Sequence, residues 1–292
     1  MQSARVDLVL DAHAETGEGP VWDHRDQSLL WVDVTRGQVH RFDPTAGIDI
    51  CVEVGQHTGA LALRAGGRFV LAVRGGFAGF DLDTGKLEPI GDTEAHRPTN
   101  RMNDGKVDAA GRFWAGSMAY REQGREGSLH RLDPDGSVTT VLTGIGISNG
   151  LGWSPDNRIM YYIDSLDAGV DVFDFELDTG VISNRRRLID VAPRDGVPDG
   201  MTVDEEGCLW VALWGGGAVR RYTPAGTLDR TVEFPVGQVS CCTFGGADLA
   251  DLFITTAARG LSVEDLEQQP AAGGVFRHRP GVRGTPSREY AG

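Results

Sequence analysis

Four oxygen-bearing side chains stand directly before a glycine: Glu18 before Gly19, Asp104 before Gly105, Asn149 before Gly150 and Asp199 before Gly200. Carboxylate and amide oxygens without Cys or His favour a hard divalent ion such as Ca²⁺, Mg²⁺ or Mn²⁺. If a fold gathered two or three such carboxylates within about 4 to 6 Å, they would repel by several kcal/mol at an effective dielectric near 20, and a bound cation is the simplest relief. The competing reading is that Asp, Asn and Glu before Gly are ordinary turn formers. A second chemistry is offered by GISNG, residues 146–150, which matches the G-x-S-x-G elbow of a serine nucleophile. That elbow needs a helix after it. The next residues, LGWSPDNRIMYYID, are two apolar runs split by a Ser-Pro-Asp-Asn turn signal, a pattern that predicts two strands. Ser148 is therefore not read as a nucleophile, and attention passes to Asn149. The seven histidines lack metal-ligand spacing, and Cys51, Cys208, Cys241 and Cys242 form no C-x-x-C pair. The cysteines are read as reduced thiols packed as small apolar side chains.

The elements that must position these residues repeat. GPVWDHRDQSLLWVD, ALALRAGGRFVLAV, GKVDAAGRFWAGS, GLGWSPDNRIMYYID, GMTVDEEGCLWVAL and CTFGGADLADLFITT begin at 19, 60, 105, 150, 200 and 242, at spacings of 41, 45, 45, 50 and 42 residues. Each reads as a short strand, a turn and a second strand, and several continue into a third, as in GSLHRLDPDG. Such a period suits a four-stranded sheet, and units that cannot bury a face alone share a core when packed radially. The predicted fold is all-β: a six-bladed β-propeller of four-stranded antiparallel blades around a central channel, one domain over residues 1–292. A β-sandwich gives no reason for the period. RVDLVL at the N-terminus is expected to pair with the last blade near GGVFRH and close the ring. Because the first strand of every blade lines the channel, the four residues before glycine are expected to meet at one mouth, with Thr58 and Ser240 at the same phase of the other two blades.

With 42 Asp plus Glu against 28 Lys plus Arg, the net charge of −14 repels phosphate backbones and anionic membranes. Neither nucleic acid nor a membrane is an expected partner, and nothing points to a protein partner. There is no 18-residue apolar window and no basic leader, so the chain is read as cytoplasmic.

GEGPVWD, RMNDGKVDAAGRFWAGSM, ISNGLGWSPD, MYYID, PDGMTVDEEGCLWVALW and AGGVF, in this order from about residue 15 to 276, resemble the senescence marker protein, regucalcin and gluconolactonase family. The resemblance implies a six-bladed propeller with one divalent metal ion (Ca, Mn, Zn, Mg or Fe) in its channel, opening sugar lactones such as a gluconolactone or a pentonolactone. It implies Glu18, Asn149 and Asp199 as metal ligands, with Asp199 also the acid/base. Arg101 and Asn103 match positions that contact the sugar, and Asp104 an acidic residue behind the metal or reaching it through water. The chain departs from the animal members after GSM, where Arg121 stands in place of an acidic residue and Glu122 follows. Either Glu122 takes the substrate contact by a one-residue shift, or a different sugar acid is accepted.

Lactone opening builds charge on a carbonyl oxygen, which a cation stabilises, and a carboxylate at its edge can take the proton of attacking water. Arg101 and Asn103 offer donors and an acceptor to a polyol; the alternatives are Arg101 paired with Asp104 or Asp108, and Asn103 capping a turn. Trp114 and Trp210 fall at one phase of the repeat and are expected in the core, whereas Trp214, beside three glycines, stays open as a carbohydrate platform. Two other functions use the same fold: a metal-dependent phosphotriesterase or arylesterase, and a calcium-binding regulatory or ligand-binding propeller without turnover.

Overall fold

The structure, a computed structural model, describes residues 6–66 and 68–292. The described strands form six sheets, each with four antiparallel strands, and Glu289–Tyr290 adds a short parallel fifth strand to the second; the innermost strands of successive sheets pack side by side around a channel. These innermost strands are Gly17–Asp23, Thr58–Arg64, Asn100–Val107, Ser148–Trp153, Val197–Val203 and Val239–Gly245. The expected six-bladed propeller is the observed fold. Val6–Leu10 supplies the outermost strand of the sixth blade, with Leu8 opposite Phe276 and Val6 opposite His278. The ring is thus closed as anticipated; Arg5 of RVDLVL lies outside the described residues.

The core lies between blades. Trp114 packs with Leu151, Met160 and Tyr162 of the following blade, and Trp210 with Cys242, Phe244 and Ile254 of the next. Both indoles are fully buried, where each covers roughly 150–250 Å² of surface. Their N–H groups explain part of the repeat. Asp108 Oδ2 accepts from Trp114 Nε1 at 2.9 Å, and Asp204 Oδ2 accepts from Trp210 Nε1 at 2.9 Å. The shared pattern of VDAAGRFW and VDEEGCLW is therefore a carboxylate at the end of the inner strand holding the tryptophan of the second strand. Asp108 also pairs with Arg112, so it is not a partner of Arg101.

The inner strands begin two to five residues earlier than the repeat starts anticipated, and the reason is local. Asp104-Gly105, Asn149-Gly150 and Asp199-Gly200 are inside strands, at register shifts between Met102 and Gly105, Asn149 and Leu151, and Pro198 and Met201. Such bulges re-aim a side chain instead of turning the chain. The glycines serve close approach: a Cβ on Gly150 would lie 2.7 Å from the Asp199 carbonyl oxygen, and one on Gly59 would lie 2.3 Å from the Asn103 carbonyl oxygen. Turn formation does not account for the repeated polar-Gly pairs.

The four cysteines are free. Three are buried as expected, but Cys51 is exposed, because it sits on Ile48–Glu53, the outermost strand of the first blade.

Candidate metal and substrate site at one mouth of the channel

Glu18, Arg101, Asn103, Glu122, Asn149 and Asp199 all line one cavity of about 300 Å³. They come from four blades, and the bulges described above sit where the first, third, fourth and fifth inner strands reach this mouth. Asp104 is buried and is not among the lining residues. Its Oδ1 accepts from the Gly105 N–H at 2.7 Å, while its Oδ2 has no partner.

Two further pins hold the site. Asp33, at the end of the second strand of blade one, accepts from the N–H groups of Glu15 (2.7 Å) and Thr16 (3.1 Å). Asp164, its counterpart in blade four, accepts from the N–H groups of Gly146 and Ile147, both at 2.9 Å. Each fixes the chain just before Glu18 or Asn149. Asn149 Nδ2 then donates to Ser165 Oγ at 3.0 Å, and that hydroxyl donates to the Pro198 carbonyl at 2.8 Å. The relay orients the amide and ties it to the strand carrying Asp199. Ser148, whose Oγ accepts from Tyr162 Oη at 2.9 Å, is fully buried in a strand, which removes the elbow reading.

Three buried carboxylates crowd the mouth, and Arg101 and Lys106 offset their charge only in part. Glu18 is pushed well above its ordinary carboxyl value by burial first, then by Asp199 and Asp104. Asp199 is pushed well up by burial and then by Asp104, and Asp104 is raised by burial. Asn149 Oδ1 is buried without a hydrogen-bond partner. Buried acceptors seldom lack a donor. A divalent cation would satisfy that amide oxygen and relieve the repulsion of the carboxylates, so the residues present fit such an ion.

A second acidic group, Asp204, Glu206 and Cys208, brings its ligand atoms within 4.8 Å of one another. It is already compensated. Arg221 reaches Asp204 at 2.8 Å and Glu206 at 2.5 Å, and Trp210 also donates to Asp204.

The opposite wall of the cavity is basic. Arg101, 5% exposed, donates through Nη1 to Asn103 Oδ1 at 2.5 Å and to the Met102 carbonyl at 3.1 Å. Burial and the neighbouring Arg259 pull its pKa down to about 10. Asn103 Nδ2 donates to the Ser148 carbonyl at 2.8 Å, so it braces two blades and caps no turn. Glu122 adopts a left-handed backbone, φ 56°, and pairs with Arg259 at 2.7 Å. Arg121 instead turns to Glu126 on the surface. Of the two, only Glu122 faces the cavity.

Sequence reasoning missed Arg259 and Ser165. Arg259 sits in AARG, a stretch that reads as surface loop, and only the approach of the Glu122 loop from blade three gives it a place. Trp214 lines the cavity, unlike the fully buried Trp114 and Trp210.

Fold and site together define a six-bladed β-propeller with a polar cavity, lined by carboxylate, amide and guanidinium groups, at one end of its channel. The sequence matches the SMP-30/Gluconolactonase/LRE-like region over residues 16–258, and the chain belongs to that family. Regucalcin of Gallus gallus is 40% identical over 299 residues, covering 100% of both chains. Among solved structures, a luciferin-regenerating enzyme is 33% identical with a TM-score of 0.93, over 99% of each chain. A calcium-binding regucalcin from Agrobacterium tumefaciens is 27% identical with a TM-score of 0.94, over 98% of this chain and 97% of its own. A gluconolactonase from Xanthomonas campestris is 25% identical with a TM-score of 0.78, over 94% and 89%. Among the described residues no helix is long and apolar enough to cross a membrane.

Proposed function

We propose that this protein is a divalent-metal-dependent lactonase that opens sugar lactones to sugar acids. The observation that carries the reading is the meeting of Glu18, Asn149 and Asp199, from three blades, at one cavity, with an unpartnered Asn149 Oδ1 among them. The family lends support, since a gluconolactonase is one of its structural neighbours.

In this reading Glu18, Asn149 and Asp199 hold the cation, which when bound supplies Lewis-acid polarisation of the ester carbonyl. Asp199 accepts the proton of the attacking water. Its place in the cavity beside Glu18 and Asn149 suits that role, because the carboxylate is held within reach of water at the cation. Asp104 adds negative charge behind the ligands. Arg101 donates to the substrate's hydroxyl groups away from the ester, and its hydrogen bond to Asn103 fixes the direction of both side chains. The Ser165 relay fixes the Asn149 amide nitrogen and leaves its buried oxygen free of protein donors.

A second reading, a cation-binding propeller without turnover, draws on the Agrobacterium tumefaciens relative, which is described as calcium-binding. One experiment separates the two. The metal-free chain is offered a panel of aldonolactones with Ca²⁺, Mn²⁺, Zn²⁺, Mg²⁺ or Fe²⁺ added singly, and acid release is followed. Turnover that depends on the added ion is expected; cation binding without turnover of any lactone sustains the second reading instead.

A further inference from the structure

The basic wall of the cavity holds two guanidinium groups and one carboxylate. Arg101 is buried, and both acceptors of its hydrogen bonds are neutral. Among the described residues no carboxylate lies within ion-pairing distance of it. Arg259 is paired, but only with Glu122, and both of these side chains are partly exposed at the rim. Buried charges are normally paired, because an unpaired one forfeits its hydration. The field extends behind the wall: His57, which meets Tyr120 Oη at 2.9 Å, is held below its ordinary value by burial and then by Arg101, Arg259 and Arg74. In a chain of net charge −14, this clustering of arginines is a local reversal of sign.

Glu122 and Glu18 favour the charged form of Arg101 from a distance, but neither forms an ion pair with it. Glu18, Asp199 and Asp104 repel one another and fit a cation of their own. Once that cation is in place, less negative charge remains to favour Arg101. A neutral sugar lactone offers the arginine wall hydroxyl groups only.

We infer that the preferred substrate carries an anionic group at the end remote from the ester, received by Arg101 and Arg259, so that the site takes the lactone of a sugar diacid or a terminally phosphorylated sugar lactone in preference to a neutral aldonolactone. The inference rests on the lactonase reading for the position of the ester and goes beyond it in naming the far end of the substrate. Guanidinium groups suit either anion, because their donors match carboxylate and phosphate oxygens in pairs. Glu122 competes for Arg259 in the free protein and gives it up to the substrate.

The test compares three lactones of the same ring that differ at the terminal carbon: hydroxymethyl, carboxylate and phosphate ester. With the cation-loaded protein, one or both anionic lactones should exceed the neutral one in kcat/KM by about tenfold or more. The arm that does so identifies the anion. Arg259→Gln should collapse that ratio, Arg259→Lys should restore part of it, and Glu122→Gln, which frees Arg259, should raise it. A merely structural role for the Glu122–Arg259 pair would move the last two ratios together and downward. Calorimetry with the ring-opened products gives a readout independent of turnover: the diacid or phosphorylated acid should bind more tightly than the monoacid, and the difference should vanish in Arg259→Gln. Equal kcat/KM for all three lactones, or a preference that Arg259→Gln leaves intact, overturns the inference. If no lactone is opened at all, the lactonase reading falls, and the calorimetric comparison still decides whether the wall receives an anion.

Discussion

At one end of the channel the innermost strands present Glu18, Arg101, Asn149 and Asp199 to a cavity of about 300 Å³. At the other end the innermost strands present Val21, Leu61, Val107, Gly152 and Val203 to a smaller cavity of about 170 Å³, which Thr285, Pro286, Ser287 and Arg288 also line. The chain then adds Glu289–Tyr290 as a parallel strand beside Leu63 and Arg64. Tyr290 is buried, and its hydroxyl donates to the Asp133 carbonyl at 2.8 Å. The carboxylates toward this end are spoken for, with Asp23 held by Arg25, Asp108 by Arg112 and Asp204 by Arg221. At the first mouth, acceptors are buried and unmatched. One strand serves two purposes: a bulge early in the strand turns polar side chains to the cavity, and regular pairing later in the strand packs apolar ones. A well-satisfied end supports an end that is electrostatically strained.

The comparison breaks most visibly at Asp199. Asp199→Asn should lower kcat for lactone opening by about 10³-fold, or about 4 kcal/mol, the scale of losing a positioned base. The same change should raise the melting temperature of the metal-free protein, since it removes one of three repelling buried carboxylates. Near-normal kcat would take Asp199 out of the base role; a lowered melting temperature in the metal-free state would deny the strain.

Tyr290→Ala tests the other end. Loss of a buried aromatic and its hydrogen bond should destabilise by about 3 kcal/mol, read by denaturant unfolding. Cation affinity should stay within about twofold, because the deleted ring packs among Ala62, Phe77 and Phe113 and does not line the cation cavity. A large change in affinity would mean that the two ends are coupled.

Glu18→Gln sharpens the contrast through the cation itself. Removing one ligand charge should weaken binding by about 30-fold, or about 2 kcal/mol. The pH dependence follows from the raised carboxyls. Without metal, Glu18 and Asp199 keep protons above their ordinary values of 4.5 and 3.8. That contribution to stability is complete below those values and is lost as pH rises through the raised ones. A cation must displace the same protons, so its apparent affinity should increase between about pH 5 and about pH 8. Calorimetry at the two pH values checks this, and a flat profile would contradict the burial of the carboxylates.

Much of this was legible in the sequence because a repeat converts distance along the chain into proximity around an axis. Glu18, Asp104, Asn149 and Asp199 could be brought to one end from their common phase, although Asp104 is buried and does not line the cavity, and RVDLVL could be assigned to ring closure from its strand pattern. What the repeat could not supply was the reason for each glycine, since the approach of Asp199 to Gly150 belongs to a neighbouring strand and not to a turn. It was equally silent on non-repeating loops. Glu122 was resolved from Arg121 only by a left-handed backbone, and Arg259 acquired its role from a contact across more than a hundred residues. The exposure of Cys51 shows the same limit: composition does not say which strand of a blade is outermost.

The smallest effect concerns Trp214, which ends the second strand of blade five and pairs with Val197. Trp114 and Trp210 hold blades together through buried rings and N–H bonds to aspartates. Trp214 is half-buried and borders the cavity, where its face could receive the C–H groups of a sugar ring. Trp214→Leu keeps an apolar side chain but removes the flat surface. The expected result is a rise in KM for a neutral aldonolactone of about fivefold, near 1 kcal/mol, with kcat within about twofold. A fall in stability as large as that of Tyr290→Ala, with KM unchanged, would instead place Trp214 with the tryptophans of the core.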